Sequence, residues 1–338
     1  MILLFSFAPQ ALWLQLVLLV AGIVVVLWGA DRLTEGSVGL ATRMGIPQIV
    51  IGLTIVAMGT SMPEFCVSLL SALKGTADLA VGNVVGSNIF NAMLIVGCAA
   101  MVAPITILKG TVRKDIPFAL VASMLLFMMC LDGKIGRFDA TVLTLLFGFF
   151  MAVTVRGATR QRVTETTTTT STVTEETTDS AAHSQNAADI HPAKCALYIL
   201  IGLLCLILGS NVFVDNASAI ARSLGVSDAV IGLTIVAGGT SLPELATSVV
   251  AARKGNSGIA IGNVLGSNVF NILMILGITG LIAPMSIEGI TTVDLSMMVL
   301  SMMLLWLFSY TKYRIDRWEG AIFTLAFFAY MGYLLTTV

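Results

Sequence analysis

Residues 50–65 read VIGLTIVAMGTSMPEF, and residues 230–245 read VIGLTIVAGGTSLPEL. The two segments lie 180 residues apart, and the match runs without a gap to Ala103-Pro104 and Ala283-Pro284. Between residues 50 and 104, 30 of 55 positions are identical to their counterparts. The chain therefore contains an internal duplication, with motif regions at 45–104 and 225–284.

The composition indicates a membrane protein. Hydrophobic residues make up 57% and charged residues 11% of the 338, against about 45–50% and about 25% in soluble domains. Apolar runs of about 20 residues, enough for a helix to cross a bilayer, recur along the chain. The alternating pattern of a β-barrel is missing. The net charge of −1, without a basic patch, argues against nucleic acid as a partner.

Loops marked by charges, glycine and proline separate ten predicted spans. The first five are Ala11–Ala30, Ile46–Leu73, Leu79–Val102, Ile116–Leu131 and Ala140–Val155. The second five are Cys195–Val214, Ala229–Ala252, Ile259–Ile282, Leu295–Thr311 and Ala321–Val338. No positive segment precedes the first span, so we expect it to be retained rather than cleaved as a signal peptide. The predicted fold is an all-α polytopic membrane protein.

The duplication divides the chain into a first repeat at 1–156, a linker at 157–193 and a second repeat at 194–338. The linker is threonine-rich, acidic and nearly free of large apolar residues, so we expect a disordered tether. Each repeat holds five spans, an odd number, so the second enters the membrane from the opposite face. Inverted repeats of this kind are typical of secondary transporters, whose substrate sites lie near the bilayer midplane.

The placement of lysine and arginine predicts the orientation. With the linker cytoplasmic, 14 of the 18 lysines and arginines fall in cytoplasmic loops and four in external loops. Positive residues accumulate on the cytoplasmic side of membrane proteins. We therefore expect a multi-pass protein of the cell (inner) membrane with both termini outside.

Two glutamates carry the chemistry of the duplicated motif. Glu64 is the only charged residue between Arg43 and Lys74, and Glu244 is the only charge in its own span. An ionised glutamate at mid-membrane costs from about 3 to more than about 10 kcal/mol, so it needs a partner. The sequence places no lysine, arginine or histidine at a comparable depth. The two carboxylates are left facing each other or a cation.

The neighbours of the glutamates favour a cation. Pro63 and Pro243 cannot continue a helical hydrogen-bond ladder, so they free backbone carbonyls around Ala57–Thr60 and Ala237–Thr240. The spacing puts further oxygens on the same helical face: Thr60, Ser61 and Ser68 in one repeat, Thr240, Ser241 and Ser248 in the other. The following spans carry polar residues every four positions: Asn83, Ser87 and Asn91, then Asn263, Ser267 and Asn271. Hard oxygen ligands of this kind suit Ca²⁺ and Na⁺.

A simpler interpretation is a proline kink beside a protonated acid, with the amides and hydroxyls forming interhelical hydrogen bonds. Retention of the whole polar set in both copies, while the intervening positions differ, favours the cation site. One such stretch of three differing positions is Phe65-Cys66-Val67 against Leu245-Ala246-Thr247.

These residues resemble a known family. GTSMPE and GTSLPE, each followed by GN-x-x-GSN-x-FN, are similar to the paired α-repeats of the sodium/calcium exchangers, within the cation/Ca²⁺ antiporter superfamily. The short linker resembles the compact prokaryotic type. By resemblance, Glu64 and Glu244 bridge Ca²⁺, and Thr60 and Thr240 offer it backbone carbonyls. The flanking Na⁺ sites implied by the resemblance comprise Ser61, Ser87, Ser241 and Ser267, with the carbonyls of Ala57 and Ala237.

The resemblance also implies alternating access, in which the first and sixth helices slide past the rest. It implies Ca²⁺ and Na⁺ as transported ions, the lipid bilayer as surroundings, no cofactor and no obligate protein partner. Many exchangers carry Asp at one of the two positions held here by Asn91 and Asn271. This departure leaves two central carboxylates, which balance one Ca²⁺ or two Na⁺.

Four functions are compatible with a buried polar site of this kind. Na⁺/Ca²⁺ antiport is the leading hypothesis, and Ca²⁺/H⁺ or K⁺-linked antiport at the same site is the alternative. An intramembrane hydrolase using Ser61 or Ser241 is disfavoured, because both histidines, His183 and His191, lie in or beside the linker. A channel is disfavoured by the closed, charge-balanced site and the inverted repeat. We therefore expect a transporter and not an enzyme.

Overall fold

The structure is a computed structural model that describes residues 11–168, 191–225, 235, 237–287 and 289–337. The first half consists of α1 (Leu12–Met44), α2 (Gln48–Thr60), α3 (Met62–Leu73), α4 (Ala77–Val102), α5 (Lys109–Asp132) and α6 (Arg137–Thr168). The second half consists of α7 (Pro192–Ser223), α8 (Ala237–Thr240), α9 (Leu242–Arg253), α10 (Ser257–Ile282), α11 (Thr292–Lys312) and α12 (Arg317–Thr337). Short strands complete the described elements: β1 (Ile105–Thr106), β2 (Lys134–Ile135), β3 (Met285–Ser286) and β4 (Arg314–Ile315).

The all-helical prediction is confirmed. Within the described residues, seven helices are long and apolar enough to cross a membrane, and the bent pair α2–α3 adds an eighth. The predicted span Ala229–Ala252 lies partly outside the described residues, and Ala321–Val338 overlaps α12. The count of ten spans therefore stays a prediction. The helices α5, α6 and α11 each extend beyond the spans predicted for them.

The first helix is longer than expected from the sequence. We predicted a span at Ala11–Ala30, whereas α1 continues to Met44. The charges beyond residue 30 do not end it, because Arg32 pairs with Glu35 one turn away at 2.7 Å, and Lys254 pairs with Asp31 at 2.5 Å. The helix ends at Gly45, whose φ of 59° lies in the left-handed region that glycine adopts without strain.

The linker begins later than predicted. We placed it at 157–193, but α6 continues to Thr168 and α7 begins at Pro192. The expectation of disorder is therefore wrong for residues 157–168, where polar residues extend the turns of an apolar helix that is already formed. At the other end, His191 caps α7 by accepting a hydrogen bond from the Ala193 amide at 3.3 Å. Residues 169–190 lie outside the described residues.

The centre of the bundle is formed by α4 and α10. In their most apolar stretches, 72% and 78% of the residues are buried, against 22% in α1. Both contain a π-helical segment, at Phe90–Ile95 and Phe270–Ile275, and a third lies in α2 at Gly52–Val56. A π-helical segment changes the face on which the following side chains lie, and such segments are frequent at functional sites.

The two halves are tied together at both ends of the bundle. Strand β1 pairs with β4, and β2 pairs with β3, both antiparallel, so each pair joins one half to the other. At the β1–β4 end, the Thr106 amide also donates to Ser257 Oγ at 3.2 Å. At the β2–β3 end, the Gly289 amide donates to Asp78 Oδ1 at 2.8 Å. These contacts group the loops into two sets, one at each end.

Helices α1 and α7 run antiparallel and pack closely along their length. Glycines at intervals of seven allow the approach, since a Cβ added at Gly22 would lie 3.0 Å from the Gly209 carbonyl. A Cβ added at Gly29 would lie 2.9 Å from the Gly202 carbonyl, and one at Gly36 would lie 2.7 Å from the Cys195 carbonyl. Small residues let helix backbones meet in membranes. The paired glycines therefore form a seam between the first helix of each half.

A side chain in this seam is expected to weaken the fold. Gly29→Val should lower the free energy of unfolding by about 1–3 kcal/mol, because the new methyls overlap the α7 backbone. The measurement is the midpoint of thermal unfolding in detergent. Gly148→Val in α6 is the matched control, since its Cβ would meet nothing within 4 Å among the described residues. Equal midpoints for the two variants would contradict the close packing.

Candidate functional site: a buried carboxylate pair between the repeats

The site begins at a helix break that occurs once in each half. Helix α2 ends at Thr60 and α3 begins at Met62, with their axes at 48°. Ser61 lies between them with φ −84° and ψ 8°, and Ser241 holds the same place in the second half with φ −91° and ψ 7°. Pro63 lies in the first turn of α3, where its missing amide hydrogen would have no helical acceptor. The interruption predicted at Pro63 therefore separates two helices, α2 and α3.

The break changes which carbonyls are free. The Ala57 carbonyl accepts from the Ser61 amide at 3.0 Å and from the Thr60 hydroxyl at 3.3 Å, so protein donors already occupy it. In the described part of the chain, no backbone amide from α3 bonds the Thr60 carbonyl. Both carbonyls were expected from the sequence to bind an ion. The Thr60 carbonyl therefore has fewer protein donors than the Ala57 carbonyl. In the second repeat, Ala237 and Thr240 begin and end α8.

Glu64 and Glu244 each lie in the first turn of the helix that follows the break, α3 and α9. Both side chains are buried, with 1% of their surface exposed. A helix N-terminus carries a partial positive charge and favours a carboxylate there. Each carboxylate therefore lies at a favourable helix end in the interior of the protein.

Each glutamate is held by the serine of the other half. Ser61 Oγ donates to Glu244 Oε1 at 2.9 Å, and Ser241 Oγ donates to Glu64 Oε1 at 3.0 Å. The reciprocal bonds cross between the repeats and bring both helix breaks to one place. The sequence motif therefore forms a single site from two halves.

The predicted flanking hydroxyls lie at the same site. Ser267 Oγ lies 3.5 Å from Glu244 Oε1, and Ser87 Oγ lies 3.4 Å from Ser241 Oγ. The Thr240 side chain lies beside Glu64. The Thr60 side chain likewise lies beside Glu244, and its hydroxyl is within hydrogen-bond distance of Val56 O and Asn263 Oδ1, both at 3.1 Å. All four predicted serines therefore touch the carboxylate pair directly or through one hydroxyl.

Asn91 and Asn271 lie in the π-helical segments of α4 and α10, and both are buried. Asn91 Nδ2 donates to Asn268 Oδ1 at 3.0 Å, which links the two central helices. Asn268 was not among the residues predicted from the sequence, although the GSN triplet repeated at 86–88 and 266–268 would have indicated it. The π-helical segments were also missed, because they leave no mark in the spacing of apolar residues.

Several buried oxygens of the site have no hydrogen-bond partner within the described part of the chain. They are Glu64 Oε2, Glu244 Oε2, Asn91 Oδ1 and Asn271 Oδ1. A buried polar atom left unpaired costs about 1–3 kcal/mol, and more when it is charged. A cation or a donor fits these four oxygens, while the Nδ2 of Asn271, also without a partner among the described residues, is a donor. Among the described residues, no cluster of three or more His, Cys, Asp or Glu side chains could hold a metal ion.

Comparison with known proteins shows the family of the chain. A family model described as sodium/calcium exchanger protein matches residues 14–156 and again residues 194–336. The chain belongs to the sodium/calcium exchanger family. Its two matched ranges fall within the two halves of the chain, so the same exchanger model describes each half.

Several members of the family align with nearly the whole chain. The putative antiporter CaxA of Alkalimonas amylolytica is 34% identical over 94% of this chain and 98% of its own length. The sodium/calcium exchanger MaX1 of Methanosarcina acetivorans is 31% identical over 93% and 96%. Inner membrane protein YrbG of Escherichia coli is 37% identical over 84% and 85%. A solved structure of the sodium-calcium exchanger NCX_Mj superposes with a TM-score of 0.79, at 29% identity over 94% of this chain and 98% of that one.

Family membership gives the general activity. The chain is a cation/Ca²⁺ antiporter and a membrane protein of the compact prokaryotic exchanger type. It belongs to a family of transporters rather than of enzymes, which leaves the hydrolase hypothesis without support.

Proposed function

We propose that this exchanger moves Ca²⁺ against Na⁺ at the carboxylate pair Glu64 and Glu244. The observation that carries the proposal is the pair of buried Oε2 atoms without a protein donor among the described residues. Ca²⁺ takes six to eight oxygen ligands at about 2.3–2.6 Å, and both carboxylates can serve it. The carbonyls of Thr60 and Thr240 and the amide oxygens of Asn91 and Asn271 supply neutral ligands.

Na⁺ uses the same oxygens and the hydroxyls around them. Ser61, Ser241, Ser87 and Ser267 complete flanking Na⁺ sites, with the carbonyl of Ala237 and with that of Ala57 once the Thr60 hydroxyl turns away from it. Two carboxylates balance one Ca²⁺ or two Na⁺. Because the ions compete for shared ligands, Na⁺ entering on one side displaces Ca²⁺. The empty, doubly negative site is too costly to change sides, which couples the two fluxes.

Alternating access then requires one part of the bundle to move past the site. Helices α1 and α7 pack most closely against each other along the glycine seam. The pairs β1–β4 and β2–β3 bind loops of the other helices to one another across the halves. This arrangement supports a sliding unit formed by α1 and α7 beside a fixed remainder that holds both glutamates.

We further propose the inverted ten-span layout, with both termini outside the cell (inner) membrane and the linker cytoplasmic. The layout assigns the loops of β1 and β4 to the cytoplasmic side and those of β2 and β3 to the external side. The strand pairings support it, because each pair joins loops assigned to one side. The pairing of Lys254 with Asp31 joins two segments that are both assigned to the cytoplasmic side.

Cysteine labelling tests this layout. In a variant without the five native cysteines, Lys134→Cys should react with a membrane-impermeant maleimide in right-side-out vesicles. Thr106→Cys should react only after permeabilisation. Both side chains are exposed, so access to solvent does not distinguish them. Labelling of both from the same side would overturn the proposed orientation.

The exchange itself is tested by ⁴⁵Ca²⁺ flux in proteoliposomes under separately imposed Na⁺, K⁺ and H⁺ gradients. The proposal predicts uptake driven by an outward Na⁺ gradient alone. Uptake that follows a pH gradient and ignores Na⁺ would replace it with Ca²⁺/H⁺ antiport. Uptake that needs K⁺ together with Na⁺ would replace it with K⁺-linked exchange.

A further inference from the structure

Asn263 lies on α10 and uses its side-chain amide to join three groups. Its Nδ2 donates to the Glu244 carbonyl at 3.2 Å and to Ser248 Oγ at 3.0 Å. Its Oδ1 accepts from the Thr60 hydroxyl at 3.1 Å. The side chain is fully buried. Both amide hydrogens and the amide oxygen are thus engaged in a region without solvent.

The contacts connect the two halves of the ion site. Glu244 belongs to the second repeat, and Asn263 holds the backbone of the turn that carries its carboxylate. Thr60 belongs to the first repeat and ends the helix before the break. Ser248 Oγ in turn donates to Ala260 O at 3.4 Å, which clamps α9 to α10 on the same side. A shift of Asn263 therefore changes the spacing between Thr60 and Glu244.

The other glutamate has the same support. Asn83 Nδ2 donates to the Glu64 carbonyl at 3.2 Å and to Ser68 Oγ at 3.0 Å. Ser68 Oγ donates to Ala80 O at 3.2 Å, as Ser248 does to Ala260. Each asparagine therefore joins its own helix to the turn that follows the helix break. In both halves it bonds the carbonyl of the glutamate itself.

We propose that Asn263 and Asn83 are positioning residues that hold the two glutamates of the cation site, and that Asn263 also sets the distance between the two halves of the site. The inference rests on the proposed function, because it concerns the geometry of that site. Neither amide is assigned to an ion. Asn263 acts through the backbone of Glu244 and through Thr60, and Asn83 acts through the backbone of Glu64. Cation affinity is therefore set partly by residues that do not touch the cation.

The test compares ion affinity with stability in Asn263→Ala. The half-saturating Ca²⁺ concentration for exchange should rise about tenfold, corresponding to about 1.4 kcal/mol, while the maximal rate changes less than threefold. Thr60→Val removes the hydroxyl but keeps the carbonyl, and it should raise the same concentration in the same direction. The double variant should have the same half-saturating Ca²⁺ concentration as Asn263→Ala alone, because both changes break the contact between Thr60 and Asn263.

Asn88→Ala is the control, since this buried amide contacts Met298 Sδ at 3.9 Å rather than either carboxylate. It should leave the half-saturating Ca²⁺ concentration unchanged. A lower unfolding temperature in Asn263→Ala with unchanged Ca²⁺ affinity would overturn the inference, and so would additive effects in the double variant. If Asn263→Ala does not fold, the effect of Asn83→Ala on the half-saturating Ca²⁺ concentration decides. Wild-type protein without Na⁺-driven flux would instead overturn the proposed function.

Discussion

Glu64→Gln and Glu244→Gln are each expected to reduce Na⁺-driven ⁴⁵Ca²⁺ exchange by at least about 100-fold. Each change removes one of the two charges that balance Ca²⁺, and losing one partner of a buried ionic contact costs about 3–5 kcal/mol. The two variants should fail alike, because the reciprocal bonds of Ser61 and Ser241 place both carboxylates at one site. Initial rates in proteoliposomes measure the effect.

Glu319→Gln provides the matched control. Glu319 is also buried, with 2% of its surface exposed, and its Oε2 accepts from the Asp316 amide at 2.7 Å at the start of α12. A glutamine oxygen can accept the same bond, so exchange should continue. Near-normal exchange in either Glu64→Gln or Glu244→Gln would remove that residue from the site. Equal loss in Glu319→Gln would show that the assay reports folding rather than ion binding.

Ser61→Ala and Ser241→Ala have the second largest expected effect. Each serine donates to the carboxylate of the other repeat at about 3 Å, and hydrogen bonds to charged groups contribute about 1.5–3 kcal/mol. We expect exchange at low Na⁺ to fall roughly 10- to 100-fold. The half-saturating Na⁺ concentration should rise more than that for Ca²⁺, because the hydroxyls are assigned to Na⁺. Flux measured against each ion separately distinguishes the two shifts.

A buried serine outside the site serves as the control. Ser301 is fully buried in α11, and its hydroxyl donates to the Met298 carbonyl at 2.7 Å. Ser301→Ala should leave both half-saturating concentrations unchanged. Equal shifts for Na⁺ and Ca²⁺ in Ser61→Ala would show that the serine holds Glu244 without serving Na⁺.

The duplication made the centre of the structure predictable. The sequence places no positive side chain at the depth of either Glu64 or Glu244. We therefore expected the two glutamates to meet at one site that can hold a cation. The contacts of Ser61 with Glu244 and of Ser241 with Glu64 follow that expectation. Their roles as ion ligands stay predictions.

Other features depend on contacts between residues far apart in the chain, and the spacing of apolar residues in the sequence does not predict such contacts. The continuation of α1 beyond residue 30 depends on ion pairs, including one between Asp31 and the distant Lys254. The glycine seam needs the antiparallel pairing of α1 and α7, which one helix alone does not reveal. The π-helical segments at Phe90–Ile95 and Phe270–Ile275 shift the faces of Asn91 and Asn271 away from the simple four-residue row. In each case tertiary packing overrides the local pattern.

The most direct test of the central claim is an anomalous difference map from crystals of the protein soaked in Ca²⁺. We expect one strong peak within about 2.3–2.6 Å of carboxylate oxygens of both Glu64 and Glu244. The peak should weaken when the Na⁺ concentration is raised, because Na⁺ displaces Ca²⁺. A Ca²⁺ peak that contacts only one of these glutamates, or that lies away from both, would contradict it.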